Sequence, residues 1–197
     1  MSFFQRRHFV SALMASVVGL VCTLPAHAQE GTPAKIIVGF PAGGSFDAIA
    51  RLLADKLKTE LNRPVVVDNK TGAGGRIAVD ALKASPADGS VMMLGPDALT
   101  VFYPYTFKKL SYDVKKDLVP VGTVAEFAFG FAVGTAPKVN TWADYVAWAK
   151  KNPKDANYGI PALGAPHHFY GILLGQAIDV PMQNVPFQGS APINLAL

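Results

Sequence analysis

The sequence predicts an α/β fold in which short parallel strands alternate with helices. One observation is the apolar run Ile36, Ile37 and Val38, whose β-branched residues are typical of a buried parallel strand and lead through a glycine turn into a helical pattern. A second is that residues 64–84 repeat the order of strand, glycine turn and helix. In such folds, the turns that follow the strands lie together at the carboxyl edge of the sheet.

The first half of the chain supplies most of this pattern. Apolar residues spaced three and four positions apart predict a surface helix over 46–61, with charged residues on its other face. After it the sequence predicts a strand at 64–68, a helix at 77–84, a turn at 86–89, a buried strand at 91–94 and a loop at 95–98.

The second half is less regular. Residues 122–126, which lie within the largely apolar stretch 119–133, are interpreted as a crossing strand or a hinge. Thr141 is the expected N-cap of a helix that Asn152 and Pro153 end. There follow a strand at 157–160, a loop at 161–166, a helix at about 167–177, a strand at 185–187 and a final helix capped by Ser190. That helix ends at Leu197 with apolar residues and no cap, so we expect the chain to be truncated at its C-terminus.

Residues 1–28 have the pattern of a secretory signal peptide. Arg6 and Arg7 precede an apolar run at 9–24, and the small-residue pattern that ends at Ala28 fits a cleavage site. The paired arginines leave both the general secretory and the twin-arginine export routes open. Cys22, the sole cysteine, lies inside this segment, so the mature chain has no disulfides, thiolate metal sites or cysteine nucleophiles. We expect a soluble periplasmic protein.

Charge and motifs exclude several functions. Loss of the two leader arginines lowers the formal charge from +4 to +2, and no basic stripe interleaved with aromatic residues predicts nucleic-acid binding. Neither glycine turn has the spacing of a nucleotide-binding motif, so we expect no cofactor. His167 and His168 are adjacent, would diverge on a helix and could not share a metal, so we also expect no metal site.

The two glycine turns, at residues 41–47 and 71–76, are the predicted binding features. Glycines let the backbone approach a ligand, and the first N-H groups of the following helix are unpaired and carry the positive end of its dipole. The two turns together therefore predict one site for a small anion.

Several short motifs together resemble the periplasmic substrate-binding receptors of tripartite tricarboxylate transporters, the Bug receptors. The matching segments are 38–44 with Asp47, 63–69, 72–75, 86–89, 112–113, 116–118, 166–169 and 185–192. The resemblance implies a two-domain, Venus flytrap architecture that closes on a small carboxylate and delivers it to the permease subunits of a membrane transporter. It implies a first α/β lobe at 29–122 and a second lobe at 123–197, incomplete because the family's chain continues well past residue 197.

The resemblance also implies which loops face the ligand. The candidate ligand-binding residues are Pro41, Ala42, Gly43, Gly44, Ser45, Asp47, Gly74, Gly75, Arg76, Asp97, Ala162, His168, Gln188 and Gly189. Two positions depart from the family pattern: Phe46 stands where a small polar residue is frequent, and Gln188 stands where lysine is frequent. A ligand of lower charge is one consequence. The sequence leaves open a dicarboxylate, a tricarboxylate, an acidic amino acid or an aromatic acid.

Structural alternatives exist for these residues. Asp47 could stabilise the helix start instead of contacting a ligand, and Arg76 could be solvated instead of clamping a carboxylate. We expect His168 to face the ligand and His167 to face solvent or cap the helix. The glycines could simply form tight connections.

Two other functions remain open from the residues. A secreted hydrolase would need Ser45 or Ser190 beside one of the two histidines, although neither serine has the full nucleophile-elbow pattern. The other alternative is a truncated fragment that binds nothing.

Overall fold

The computed structural model describes residues 32–197, and the predicted leader at 1–28 lies outside the described residues. This part of the chain has five strands and seven α-helices, which alternate except for three successive helices between the third and fourth strands. In chain order they are β1 Ala34–Val38, α1 Ser45–Glu60, β2 Val65–Asn69, α2 Arg76–Lys83, β3 Val91–Leu94, α3 Tyr103–Thr106, α4 Val114–Asp117, α5 Trp142–Lys151, β4 Asn157–Ile160, α6 Pro166–Ile178, β5 Gln183–Pro186 and α7 Ser190–Ala196. The predicted α/β class is therefore confirmed.

The first sheet has three parallel strands in the order β2-β1-β3. The central strand β1 is the most buried because neighbours cover both of its edges, and Ile36 and Val38 are almost fully shielded from solvent. Helix α1 packs Ala50 and Ala54 against this strand. Strands β2 and β3 were predicted from the sequence within one residue at each end, whereas β1 begins two residues before the predicted run at Ile36.

The second sheet pairs β4 with β5 in parallel. Helix α5 lies beside it and begins with a capping box, in which Thr141 and Asp144 each accept a hydrogen bond from the other's backbone N-H at 3.1 Å. The predicted cap is thus confirmed. Tyr145 and Ala149 of this helix pack against Ile178 of α6.

A third apolar cluster joins residues near the two sheets. Leu99 and Tyr103, which follow β3, pack with Ala162 and Ala165 from the loop between β4 and α6. The carboxyl edges of both sheets are thereby held close together. The division into lobes at residue 122 stays a prediction.

Two predicted features are wrong, namely the strand considered for residues 122–126 and the cap of the last helix. Residues 122–126 form no regular element, because no strand among residues 32–197 pairs with them, and the flanking Val121 is 91% exposed. The alternative of a hinge at 122–126 stays a prediction. Ser190 is the first residue of α7 and not its cap. Gly189 holds the cap position with φ 93°, a conformation that favours glycine.

Within the described residues, no helix combines the length and apolarity needed to cross a membrane.

Candidate functional site

A cavity of about 250 Å³ lies where the carboxyl ends of the two sheets meet. This volume is slightly below the range of about 300–1,000 Å³ typical of ligand pockets, which suits a small molecule. The lining residues come from five segments of the chain. They are Phe40, Pro41, Gly44, Ser45 and Phe46; Pro96, Asp97, Ala98 and Tyr103; Phe127, Ala128, Phe129 and Gly130; Pro161, Ala162, Ala165, Pro166 and His167; and Gln188, Gly189, Ser190 and Ala191.

The turn between β1 and α1 presents free backbone donors at the cavity. The first hydrogen bond of the helix runs from Ala48 N-H to Gly44 O at 3.0 Å, so the N-H groups of Ser45, Phe46 and Asp47 have no partner inside the helix. Of these residues, Ser45 and Phe46 line the cavity. The start of α1 can therefore donate hydrogen bonds to an anion, with the helix dipole adding to the attraction.

Asp47 holds the backbone of this turn in place without lining the cavity. Its buried carboxylate accepts hydrogen bonds from Gly43 N-H at 2.9 Å, from Arg51 Nε at 2.9 Å and from Asn69 Nδ2 at 3.1 Å. The Arg51 hydrogen bond and then the Gly43 N-H lower the carboxyl pKa to about 2, against the opposing effect of burial. Asn69 Nδ2 also donates to Phe40 O at 3.0 Å, so the same network ties α1 to the ends of β1 and β2.

Because Gly43 N-H is bonded to Asp47, that donor is not free for a ligand. Gly43 itself has φ +81° and open space where a Cβ would stand, so its glycine is required by backbone conformation and not by a close neighbour. Ala42, Gly43 and Asp47 do not line the cavity. Their placement supports the structural alternative for Asp47, in which the carboxylate organises the turn.

The second glycine turn does not line the cavity, so its role in ligand binding stays a prediction. A Cβ on Gly39 would lie 2.6 Å from Gly75 Cα, which shows that the turn packs directly on the end of β1. Tyr103 Oη donates to Gly74 O at 3.0 Å, and a Cβ on Gly74 would collide with this hydroxyl. The glycines of this turn permit close packing of the backbone, and Tyr103, which they support, lines the cavity instead.

Arg76 is likewise held away from the cavity. Its guanidinium carbon lies 4.0 Å from the centroid of the Phe107 ring, and its Nε donates to Ala73 O at 2.9 Å. Both contacts engage the guanidinium, although its positive charge acts on Tyr103 in the lining by lowering the pKa of that hydroxyl against the larger effect of burial. A carboxylate clamp by Arg76 stays a prediction.

The two histidines differ in their placement relative to the cavity, and His167, not His168, lines it. His168 contacts Gly164 N-H through Nδ1 at 3.4 Å and the Asn184 side-chain amide through Nε2 at 3.3 Å, and it does not line the cavity. His167 lines the cavity, and its buried Nδ1 has no hydrogen-bond partner in the structure. Burial lowers the pKa of His167, although the negative charge of Asp97 opposes this effect. A neutral His167 has one ring N-H to offer a ligand.

Half of the predicted ligand-binding residues thus meet at the cavity. Those that line it are Pro41, Gly44, Ser45, Asp97, Ala162, Gln188 and Gly189, whereas Ala42, Gly43, Asp47, Gly74, Gly75, Arg76 and His168 do not. The prediction missed an aromatic wall formed by Phe40, Phe46, Phe127, Phe129 and His167. Residues 127, 129 and 131 are all phenylalanine, and this alternation was a usable signal in the sequence.

The cavity lacks an assembled hydrolytic triad. Ser45, His167 and Asp97 all line it, yet no hydrogen bond joins His167 to Ser45 or to Asp97 in the described structure. The geometry required for a serine nucleophile is therefore not formed.

Comparison with known proteins gives a consistent family match. Residues 49–197, well over half of the chain, match the family described as tripartite tricarboxylate transporter family receptor (TctC). The UPF0065 protein in the gbd 5' region of Cupriavidus necator is 33% identical over 202 residues, covering 98% of this chain and 61% of that protein. Protein BugT of Bordetella pertussis is 30% identical over 184 residues, covering 93% of this chain and 56% of BugT.

A solved structure shares the fold. R. palustris Rpa4515 with adipate superposes with a TM-score of 0.74 at 28% sequence identity, covering 85% of this chain and 56% of that chain. The chain therefore spans little more than half the length of the relatives that it matches.

Proposed function

Because this chain belongs to the tripartite tricarboxylate transporter receptor family, we propose that the protein is an exported receptor that captures a small carboxylate in the periplasm. In this proposal the receptor then delivers its ligand to the membrane permease subunits of the transporter. Recognition is non-catalytic, and the matched family is one of receptors.

The observation that carries the proposal is that two helix N-termini open on one cavity. Ser45 begins α1 and Pro166 begins α6, and both residues line the cavity. Pro166 has no N-H, and His168 N-H donates to Ala165 O at 3.0 Å, so α6 offers mainly the N-H of His167. A carboxylate placed here would accept hydrogen bonds from α1 and α6 together.

The ligand would bridge the two sheets. Gly44 and Ser45 approach it from the first sheet, while Gln188 and Gly189 approach it from the second. If these belong to separate lobes at 29–122 and 123–197, the closed form is stabilised only when the ligand contacts both. Rpa4515 was solved with adipate, a dicarboxylate, and this supports carboxylates as the ligand class.

A proline substitution at the first residue of α1 tests the site. Proline is favoured at the first position of a helix, and Gly44 before it is already extended (φ -81°, ψ 172°), so Ser45→Pro should fold while losing one N-H donor. A hydrogen bond to a charged group is worth about 1.5–3 kcal/mol, which corresponds to a roughly ten- to hundredfold loss of affinity. Ser45→Ala keeps the backbone N-H and serves as the matched control.

The assay is a thermal melt and calorimetric titration of the full chain with benzoate, hexanoate, succinate, adipate and citrate. At least one acid should raise the melting temperature, because a ligand that binds only the folded state stabilises it. Ser45→Pro should weaken binding of that acid, whereas Ser45→Ala should not. If none of the five acids binds, or if Ser45→Pro binds as tightly as the parent protein, the proposed site is wrong.

A further inference from the structure

The charge balance of the cavity indicates how many carboxylates its ligand carries. Among the described residues that line it, none is lysine or arginine, and the ionisable side chains are Asp97, Tyr103 and His167. The two nearby arginines are engaged elsewhere, Arg51 with Asp47 and Arg76 over Phe107. Within residues 32–197, the cavity lining therefore offers a carboxylate backbone N-H groups but no lysine or arginine side chain.

The ionisable residues of the lining do not supply the missing positive charge. Tyr103 stays neutral because burial raises its pKa to about 12, and its hydroxyl already donates to Gly74 O. Burial also favours the neutral form of His167. Asp97 would repel a second negative group on the ligand, and Gln188 can donate a hydrogen bond but carries no charge. One carboxylate can be satisfied at the helix N-termini, and a second would be desolvated without a partner charge.

The aromatic wall supplies an apolar surface for the part of the ligand that is not the carboxylate. The rings of Phe40 and Phe46 stack at 4.9 Å, Phe46 meets Phe127 edge to face at 6.5 Å, and Phe127 meets Phe129 at 5.4 Å. His167 continues the series at 4.4 Å from Phe129. Phe127 and Phe129 are 60% and 40% exposed, so apolar surface remains available to a ligand beside the free helix N-H groups.

We propose that the ligand is a monocarboxylate whose remaining atoms form an apolar, ring-sized body held against the aromatic wall. This inference rests on the proposed receptor function and narrows its ligand class. The carboxylate binds at the start of α1, and the body lies on the rings of Phe46 and Phe129. Phe46 adds apolar surface to the lining, and Gln188 can hydrogen-bond the ligand without supplying a charge.

A pair of matched acids tests the charge count. Hexanoate and adipate have the same six-carbon chain and differ by one terminal carboxylate. We expect hexanoate and benzoate to bind the full chain at least about tenfold more tightly than adipate, because burial of an unpaired charge is costly. Adipate or citrate binding more tightly than hexanoate would overturn the inference while leaving carboxylate binding intact. If no acid binds, both this inference and the proposed function fail.

A pair of matched phenylalanines tests the aromatic wall. Phe129 lines the cavity, whereas Phe131 lies two residues along the same irregular segment, is similarly exposed and packs against Trp142 and Tyr145. Phe129→Ser should weaken benzoate binding by about tenfold, in keeping with the loss of aromatic contact, and Phe131→Ser should leave it within about twofold. Equal effects of the two substitutions on benzoate affinity would overturn the proposed contact. Melting temperatures of both variants show that each remains folded.

Discussion

Replacement of Asp47 by asparagine tests the network that shapes the first turn. In the parent protein one carboxylate oxygen accepts from Gly43 N-H and Arg51 Nε, and the other accepts from Asn69 Nδ2. The variant keeps a single acceptor oxygen, so its amide N-H groups would face the donor of Asn69. Rotation of Asn69 cannot relieve this conflict without loss of its bond to Phe40 O. At least one buried donor is left without an acceptor.

The pKa of Asp47 sets the size of the expected stability loss and the pH range over which that loss is present. The folded-state pKa of about 2 lies below the ordinary value of 3.8, mainly because of the hydrogen bond from Arg51. A difference of this size corresponds to about 2 kcal/mol. Since the Arg51 side chain is 57% exposed, solvent screening reduces the expected loss in Asp47→Asn to roughly 1–2 kcal/mol at pH 7. A depressed pKa stabilises the fold above pH 3.8, and this stabilisation is lost as the pH falls towards 2.

Urea denaturation of the parent and the variant at pH 7, 5 and 3 measures this dependence. The difference in the free energy of unfolding should be constant from pH 7 to 5 and should lose about half of its value by pH 3. Asp55→Asn is the matched control, because Asp55 lies exposed on the same helix. Equal stability of Asp47→Asn and the parent at pH 7, or a difference that does not shrink at pH 3, would refute the reasoning.

Two further substitutions test packing and capping by urea denaturation. Gly39→Ala should lower the free energy of unfolding by about 1–3 kcal/mol, because its Cβ would meet Gly75 Cα. Gly122→Ala has open space around its Cβ and should stay within about 0.5 kcal/mol of the parent. Equal stability of both variants would contradict the close approach. Thr141→Ala should lose about 1 kcal/mol with its capping box to Asp144, and an unchanged midpoint would show that the cap contributes nothing.

The regular elements were predictable because their signals are local. The β-branched run of β1, the charged face of α1 and the Thr141 cap each depend on residues close in sequence. The strand considered for residues 122–126 was wrong because a segment of an apolar stretch becomes a strand only when another strand pairs with it, and pairing is a long-range property.

The first glycine turn lines the cavity and the second does not, a difference that depends on long-range contacts. Both turns have glycines after a strand, and the sequence does not show which of them faces a cavity and which packs against another segment. Gly39 must be glycine because Gly75 Cα lies against it, a contact between residues 36 positions apart. The choice between His167 and His168 likewise depended on the rotation of α6 about its axis, which the distant partner Asn184 helps to fix.

Backbone groups and side chains have different roles in the proposed site, and this explains why the family was easier to predict than the ligand. Backbone N-H groups at the start of α1 are present whatever the side chain at Ser45, so in the proposed complex they would recognise a carboxylate without distinguishing one acid from another. Discrimination would then come from the lining side chains beside the rest of the proposed ligand, which are Phe46, Phe129 and Gln188. Substitution of these side chains should therefore change the preferred acid while the first turn and its Asp47 network stay intact.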